Sequence, residues 1–212
     1  MILTRFALGL ALAALAAGQT IDKLELHNVQ GEAATYRQKA AIHLRPASDR
    51  DPTLAIVKGP SFQNGTIEAD VAGAPAPGVG DFARGFIGIA FRVQAEGAKL
   101  ELFYIRPTNG RADDQLRRNH SVQYESFPDW PWNRLRQETP GVYESYTDLE
   151  TGAWTKMKIA VSGAKAKLYV NGAAQPCLIV NDLKLAPNPG AVALWVGPGT
   201  DGYFSNLRVT PR

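Results

Sequence analysis

Trp154-Thr-Lys-Met-Lys-Ile-Ala-Val161, then Ser162-Gly-Ala164, then Lys165-Ala-Lys-Leu-Tyr-Val170 and Asn171-Gly172, is the stretch that decides the fold. Met157, Ile159 and Val161 alternate with Lys156, Lys158 and Ala160, and Ala166, Leu168 and Val170 alternate with Lys165, Lys167 and Tyr169. A period of two places one set of side chains in a core and the other in water, the pattern of a half-buried strand. Ser162-Gly163 between the two runs has the chemistry of a hairpin connection.

The same pattern recurs outward in both directions. Upstream lie Thr53-Leu-Ala-Ile-Val57, Thr66-Ile-Glu-Ala-Asp-Val71, Phe86-Ile-Gly-Ile-Ala-Phe-Arg-Val93 and Lys99-Leu-Glu-Leu-Phe-Tyr-Ile-Arg106. Downstream lie Cys177-Leu-Ile-Val180, Ala191-Val-Ala-Leu-Trp-Val196 and Tyr203-Phe-Ser-Asn-Leu-Arg-Val209. Asn64-Gly65, Asn109-Gly110 and Pro189-Gly190 punctuate the series. Only Glu32 to Ala41 and part of the stretch after Tyr104 keep a helical period, and weakly. Many short strands at close intervals predict an all-β, antiparallel two-sheet sandwich. Ala72 to Asp81, rich in Gly and Pro, is expected to be a surface loop.

The first 18 residues form a separate object. Arg5 precedes the apolar run Phe6 to Ala17, which closes on Ala16-Ala17-Gly18. That order is the one of a secretory signal, and the run is short for a membrane span. Residues 19–212 are then expected as one domain, secreted or periplasmic, with no membrane insertion after cleavage. Cys177 is the sole cysteine, so the domain must be held by its core and not by an internal disulfide.

The net charge is only +3. Lys58 to Val93 and Ala186 to Ser205 carry few cations, so a continuous basic stripe for nucleic acid is not expected. His27, His43 and His120 lack zinc spacing, and neither a metal nor a cofactor is called for. Structural calcium near Asp201, with backbone carbonyls, is the one option left open. Gly197-Pro-Gly-Thr-Asp-Gly202 fits a dinucleotide pattern but has no helix after it, and reads as a turn.

Function is expected in the long connection at about 105–136. It crowds Asn109, Arg111, Asp113, Asp114, Gln115, Arg117, Arg118, Asn119, His120, Gln123, Tyr124, Trp130 and Trp132 between strands. Ordered loops of this length are uncommon and usually functional. Guanidinium and amide groups pair with hydroxyls and carboxylates, and indole rings offer a face to the C–H side of a sugar. On the strand before it, Tyr104 and Arg106 share a face, with Glu101 opposite. On the strand before that, Phe86, Gly88, Ala90 and Arg92 share a face, and the small residues would leave a groove floor open beside Arg92.

Several pieces, in order, resemble the concanavalin A-like lectin/glucanase superfamily, and within it the laminin-G-like and 3-keto-disaccharide hydrolase (domain of unknown function 1080) branch. They are Phe62-Gln-Asn-Gly-Thr-Ile-Glu-Ala-Asp-Val71, Gly88-Ile-Ala-Phe-Arg92, Gly152-Ala-Trp-Thr-Lys-Met-Lys-Ile159, Leu168-Tyr-Val-Asn-Gly172 and Tyr203-Phe-Ser-Asn-Leu-Arg-Val209, across roughly residues 50 to 212. The resemblance implies a jelly roll of two curved sheets that binds carbohydrate on its concave face or rim. Glucanases of the superfamily carry Glu-x-Asp-x-x-Glu on a strand. Here Glu68-Ala-Asp70-Val-Ala-Gly73 ends in glycine, which argues against a retaining glucanase mechanism.

The catalytic candidates are Glu68 and Asp70, two apart on one strand face and so suited to acid/base work on a glycosidic bond, with His120. The ligand-binding candidates are Arg92, Tyr104, Arg106, Asn109, Arg111, Gln123, Trp130 and Trp132. The expected function is carbohydrate binding outside the cytoplasm, with glycoside hydrolysis left open. The alternatives are a lyase acting on uronates, in which a His or Tyr base works beside Arg, and a non-catalytic interaction or scaffold domain.

Overall fold

A computed structural model describes residues 20–48 and 52–212. The signal-like segment lies outside the described residues. Two antiparallel sheets of seven strands each face one another. The first sheet runs, in spatial order, β1 (Leu24–His27), β4 (Leu54–Val57), β13 (Ala191–Val196), β6 (Ile87–Gln94), β7 (Lys99–Ile105), β8 (Val122–Phe127) and β9 (Glu144–Ser145). The second runs β12 (Leu178–Val180), β11 (Lys165–Val170), β10 (Thr155–Ser162), β5 (Gly65–Pro75), β14 (Thr200–Pro211), β3 (Lys39–Pro46) and β2 (Val29–Tyr36).

Alternation along each strand decides which side chains meet between the sheets. Ile87, Ile89 and Phe91 of β6, Phe103 and Ile105 of β7, and Leu194 and Val196 of β13 face Ile67 and Val71 of β5, Met157 and Ile159 of β10, and Phe204 of β14. All are almost fully withdrawn from water. At about 1.5–3 kcal/mol for each large side chain buried, this layer dominates folding. The β10–β11 hairpin has the expected register, with Ser162 opposite Lys165 and a left-handed Gly163 at the turn.

The outer face of the first sheet is also apolar. Leu54, Ala90, Leu102, Tyr104, Ala193 and Trp195 form a second cluster there. An apolar sheet face needs a cover, and the segments around β8 supply part of it. The expected long loop is in fact interrupted: β8 pairs along its whole length with β7, from Leu100 opposite Phe127 to Ile105 opposite Val122. The helices α1 (Gln115–Asn119) and α2 (Trp132–Glu138) flank it. Asp114 caps α1 by accepting from the Arg117 amide at 3.2 Å. Glu125 on β8 accepts from the Trp132 amide at 2.8 Å and ties the start of α2 to the sheet.

Three other expectations change. Glu32 to Ala41 is no helix but the end of β2, the start of β3 and the turn between them, with Arg37 and Gln38 both left-handed. Strand β5 continues to Pro75, into the stretch read as a loop. Gly88 does not open a groove: a Cβ there would lie 2.3 Å from the Phe103 carbonyl oxygen and 2.6 Å from Tyr104 Cβ. The missing side chain lets Tyr104 lie close over β6.

Candidate functional site

Over the outer face of the first sheet lies a cavity of about 610 Å³. Its aromatic walls are Phe82, Phe86, Tyr104, Trp132 and Trp195. Its polar groups are Arg84, Arg106, Asn109, Asp114, Arg117, His120, Glu125 and Arg136. Strand β7 supplies Tyr104 and the chain just after it Arg106. Strand β13 supplies Trp195, and the chain leading into β6 supplies Phe82 to Phe86.

Arg106 is the centre of the arrangement. Only 5% of it is exposed. One guanidinium nitrogen donates to Tyr104 Oη at 2.8 Å, and the other to the His120 carbonyl at 2.9 Å. Gln123 Oε1 accepts from both at 3.3–3.4 Å. The guanidinium carbon lies 4.9 Å from the Tyr104 ring centre and 6.0 Å from that of Trp132. A cation held between aromatic rings, with both terminal nitrogens engaged, is fixed in place. Burial pushes the Tyr104 phenol well above its ordinary range, so Tyr104 stays neutral.

Asn109 is buried, donates to the His120 carbonyl at 3.2 Å and accepts from Arg117 Nε at 2.9 Å. Arg117 also donates to Thr108 Oγ1. His120 stands where this cavity meets a neighbouring one lined by Pro140, Glu144 and Tyr146, and Leu116 and Arg136 border both. His120 Nδ1 lies 2.7 Å from Glu144 Oε2 without hydrogen-bond alignment. Burial pushes the imidazole below the usual histidine range; Glu144 opposes this and Arg136 adds to it. Arg136 in turn holds Glu144 through Nε and a guanidinium nitrogen at 2.7–3.2 Å.

Tyr104, Arg106, Asn109, His120 and Trp132 therefore meet in one cavity, with Gln123 buried behind Arg106. Other candidates are elsewhere. Glu68 and Asp70 point outward from β5 on the second sheet, because Ile67, Ala69 and Val71 take the core face. The whole sandwich separates them from His120. Asp70 is held by Lys39 at 2.8 Å and Asn206 at 2.7 Å.

Arg92 is fully buried and left-handed (φ 51°) at a bulge, which turns it away from the cavity. It donates to the carbonyls of Gln63 and Gly163, so it clamps two turns of the second sheet. Trp130 packs on the main core under Arg134 and Lys184. Arg111 is exposed and paired with Asp148 and Glu150. Tyr124 faces the interior and donates to Glu101 at 2.5 Å. Asp201 meets His43 Nε2 at 2.5 Å. Cys177 is partly buried, its thiol pushed up to about 11 by burial.

Sequence reasoning missed Trp195, Phe82, Arg84 and Glu125. Trp195 carried a signal: it shares a strand face with Ala191 and Ala193 in an otherwise apolar run. Among the described residues no group of three or more His, Cys, Asp or Glu gathers where a metal ion would sit. Nor is any helix there long and apolar enough to cross a membrane.

The sequence matches no protein-family model and no curated protein. Solved structures share its architecture at low identity. The carbohydrate-binding module CBM66 from Bacillus subtilis is 16% identical with a TM-score of 0.56, over 90% of this chain and 92% of that one. A protein of unknown function with a galectin-like fold, also from Bacillus subtilis, is 10% identical with a TM-score of 0.53, over 88% of each chain. The β-glucanase of Bacillus licheniformis is 14% identical with a TM-score of 0.50, over 90% of this chain and 93% of that one. The fold is the concanavalin A-like, galectin-like sandwich.

Proposed function

We propose that the protein binds carbohydrate in the cavity over the first sheet. The observation that carries this reading is the combination, in about 610 Å³, of ring faces with planar hydrogen-bonding groups. Trp132 and Phe82 offer exposed ring surfaces for the C–H side of a pyranose or furanose, Tyr104 and Trp195 form the buried floor, and Arg106, Asn109 and Glu125 line the same space. Pockets for small ligands are built this way, apolar walls with a few convergent polar groups. Similarity in fold to a carbohydrate-binding module and a glucanase supports the reading. The five motif segments suggest the 3-keto-disaccharide hydrolase branch as its subfamily. The signal-like N-terminus suggests that it works in the periplasm or outside the cell.

A second reading, that the ligand is also cleaved, is favoured by His120. A neutral imidazole beside Glu144 and within reach of the same cavity is suited to proton transfer. The test for both is incubation with a panel of polysaccharides, neutral and charged, scoring retained ligand, new reducing ends and unsaturated products. Binding without products supports the first reading. Products that vanish in His120→Gln support the second. Neither retention of any member nor products from any refutes both and leaves the scaffold alternative.

A further inference from the structure

Cations outnumber anions in the cavity. Arg84, Arg106, Arg117 and Arg136 line it against the carboxylates of Asp114 and Glu125. Arg136 is committed to Glu144. Among the described residues, the other three arginine side chains hydrogen-bond to neutral groups. Arg84 donates to the carbonyls of Asp81 and Ala83. Arg106 donates to the Tyr104 hydroxyl, the Gln123 amide oxygen and the His120 carbonyl. Arg117 donates to the Asn109 amide oxygen and the Thr108 hydroxyl.

Clustering like charges among aromatic walls is costly, because water is partly excluded and each guanidinium repels the next. The effect is visible at Arg84: burial lowers its pKa, Arg117 lowers it further, Asp81 opposes this, and Arg106 lowers it again. A fold that needed only hydroxyl recognition would gain nothing from this arrangement. Amides would donate to hydroxyls without the repulsion. Arg84 bonds through one terminal nitrogen and Arg117 through Nε and one terminal nitrogen, which leaves each a second terminal nitrogen for a planar or tetrahedral anion and a strong, charge-assisted hydrogen bond.

We infer that the ligand of this cavity is an acidic saccharide, whose anionic substituent is received by Arg84 and Arg117, with the buried Arg106 adding its charge from beneath, while its ring lies against Trp132. This rests on the carbohydrate reading above and narrows it. A sugar carries such a charge either as a uronate carboxylate or as a sulfate ester. The shared chemistry is one anion held rigidly beside a C–H face.

The test uses the full mature chain and pairs of polysaccharides that differ only in charge: uronate-containing polymers against their carboxyl-reduced forms, and sulfated polymers against their desulfated forms. Affinity is measured by calorimetry at low and high salt. The charged member of at least one pair should bind tenfold or more tightly than its neutral form, and the gap should shrink as salt rises. Whichever pair shows the gap identifies the source of the anion. Arg84→Gln combined with Arg117→Gln should reduce the ratio to within about threefold, a change read from binding and not from folding. Equal affinity within every pair would overturn the inference and leave carbohydrate binding intact. No binding by any member would overturn both.

Discussion

Replacing Trp132 by alanine tests the placement of the ligand most directly. Trp132 leaves 43% of its surface open, about 110 Å² of a ring system of roughly 250 Å². Arg106 and Arg136 sit near its ring, 6.0 and 4.8 Å from the centre, so a sugar would cover about half of what is open. At about 25 cal/mol per Å² this amounts to about 1.4 kcal/mol, or tenfold in affinity. Trp130→Ala is the matched control. That ring packs on the main core beneath two cations and faces away from the cavity. Its loss should cost about 2–4 kcal/mol of stability and leave affinity within twofold. Calorimetry with whichever glycan the wild type retains, together with thermal melts, reads both. If Trp132→Ala binds as tightly as the wild type while Trp130→Ala loses affinity, the cavity is not where the ligand sits.

Further outcomes follow from the buried charges. Arg92→Met should lower stability by about 1–3 kcal/mol, since it strips the Gln63 and Gly163 carbonyls of their donor in a site with no exposure; a melting temperature within a degree or two of wild type would show that the clamp is dispensable. Burial raises the Glu101 pKa against the pull of Tyr124, Leu185, Ser126 and Arg92. With the folded value above the unfolded one, its contribution is present below about pH 4 and lost as pH rises through the folded value. Glu101→Gln should therefore remove that component of the decline, and parallel melting-temperature profiles for variant and wild type across mildly acidic pH would contradict it.

The strands that build the core were legible because their alternation is undisturbed: Ile87 to Val93, Thr155 to Val161 and Ala191 to Val196 each put bulky residues on every second position. The β2–β3 hairpin was not, because Arg37-Gln38 adopts left-handed backbone without the Asn or Gly that normally marks such a turn. Strand β8 hid for another reason. Val122, Tyr124 and Ser126 alternate with Gln123, Glu125 and Phe127, a pattern blurred by the polar residues on either side. Local sequence drew attention to Tyr104, Arg106, Asn109, His120 and Trp132, which lie close along the chain. It could not bring Trp195 or Arg84 to them, since strand order is a property of the sheet. The same limit explains Glu68 and Asp70: the period of two shows that they share a face, not which of two sheets carries it.

Because β8 runs between α1 and α2 along the chain, the parts of the cavity that these helices supply hang from one hydrogen-bonded rail of the first sheet, and Trp195 and residues 82–86 complete the lining. The connections 106–121, between β7 and β8, and 128–143, between β8 and β9, can lengthen or shorten independently at little entropic cost, leaving the core between the sheets untouched. Descendants of this architecture are thus free to change what they recognise by editing two loops, while the rest of the chain goes on folding as before.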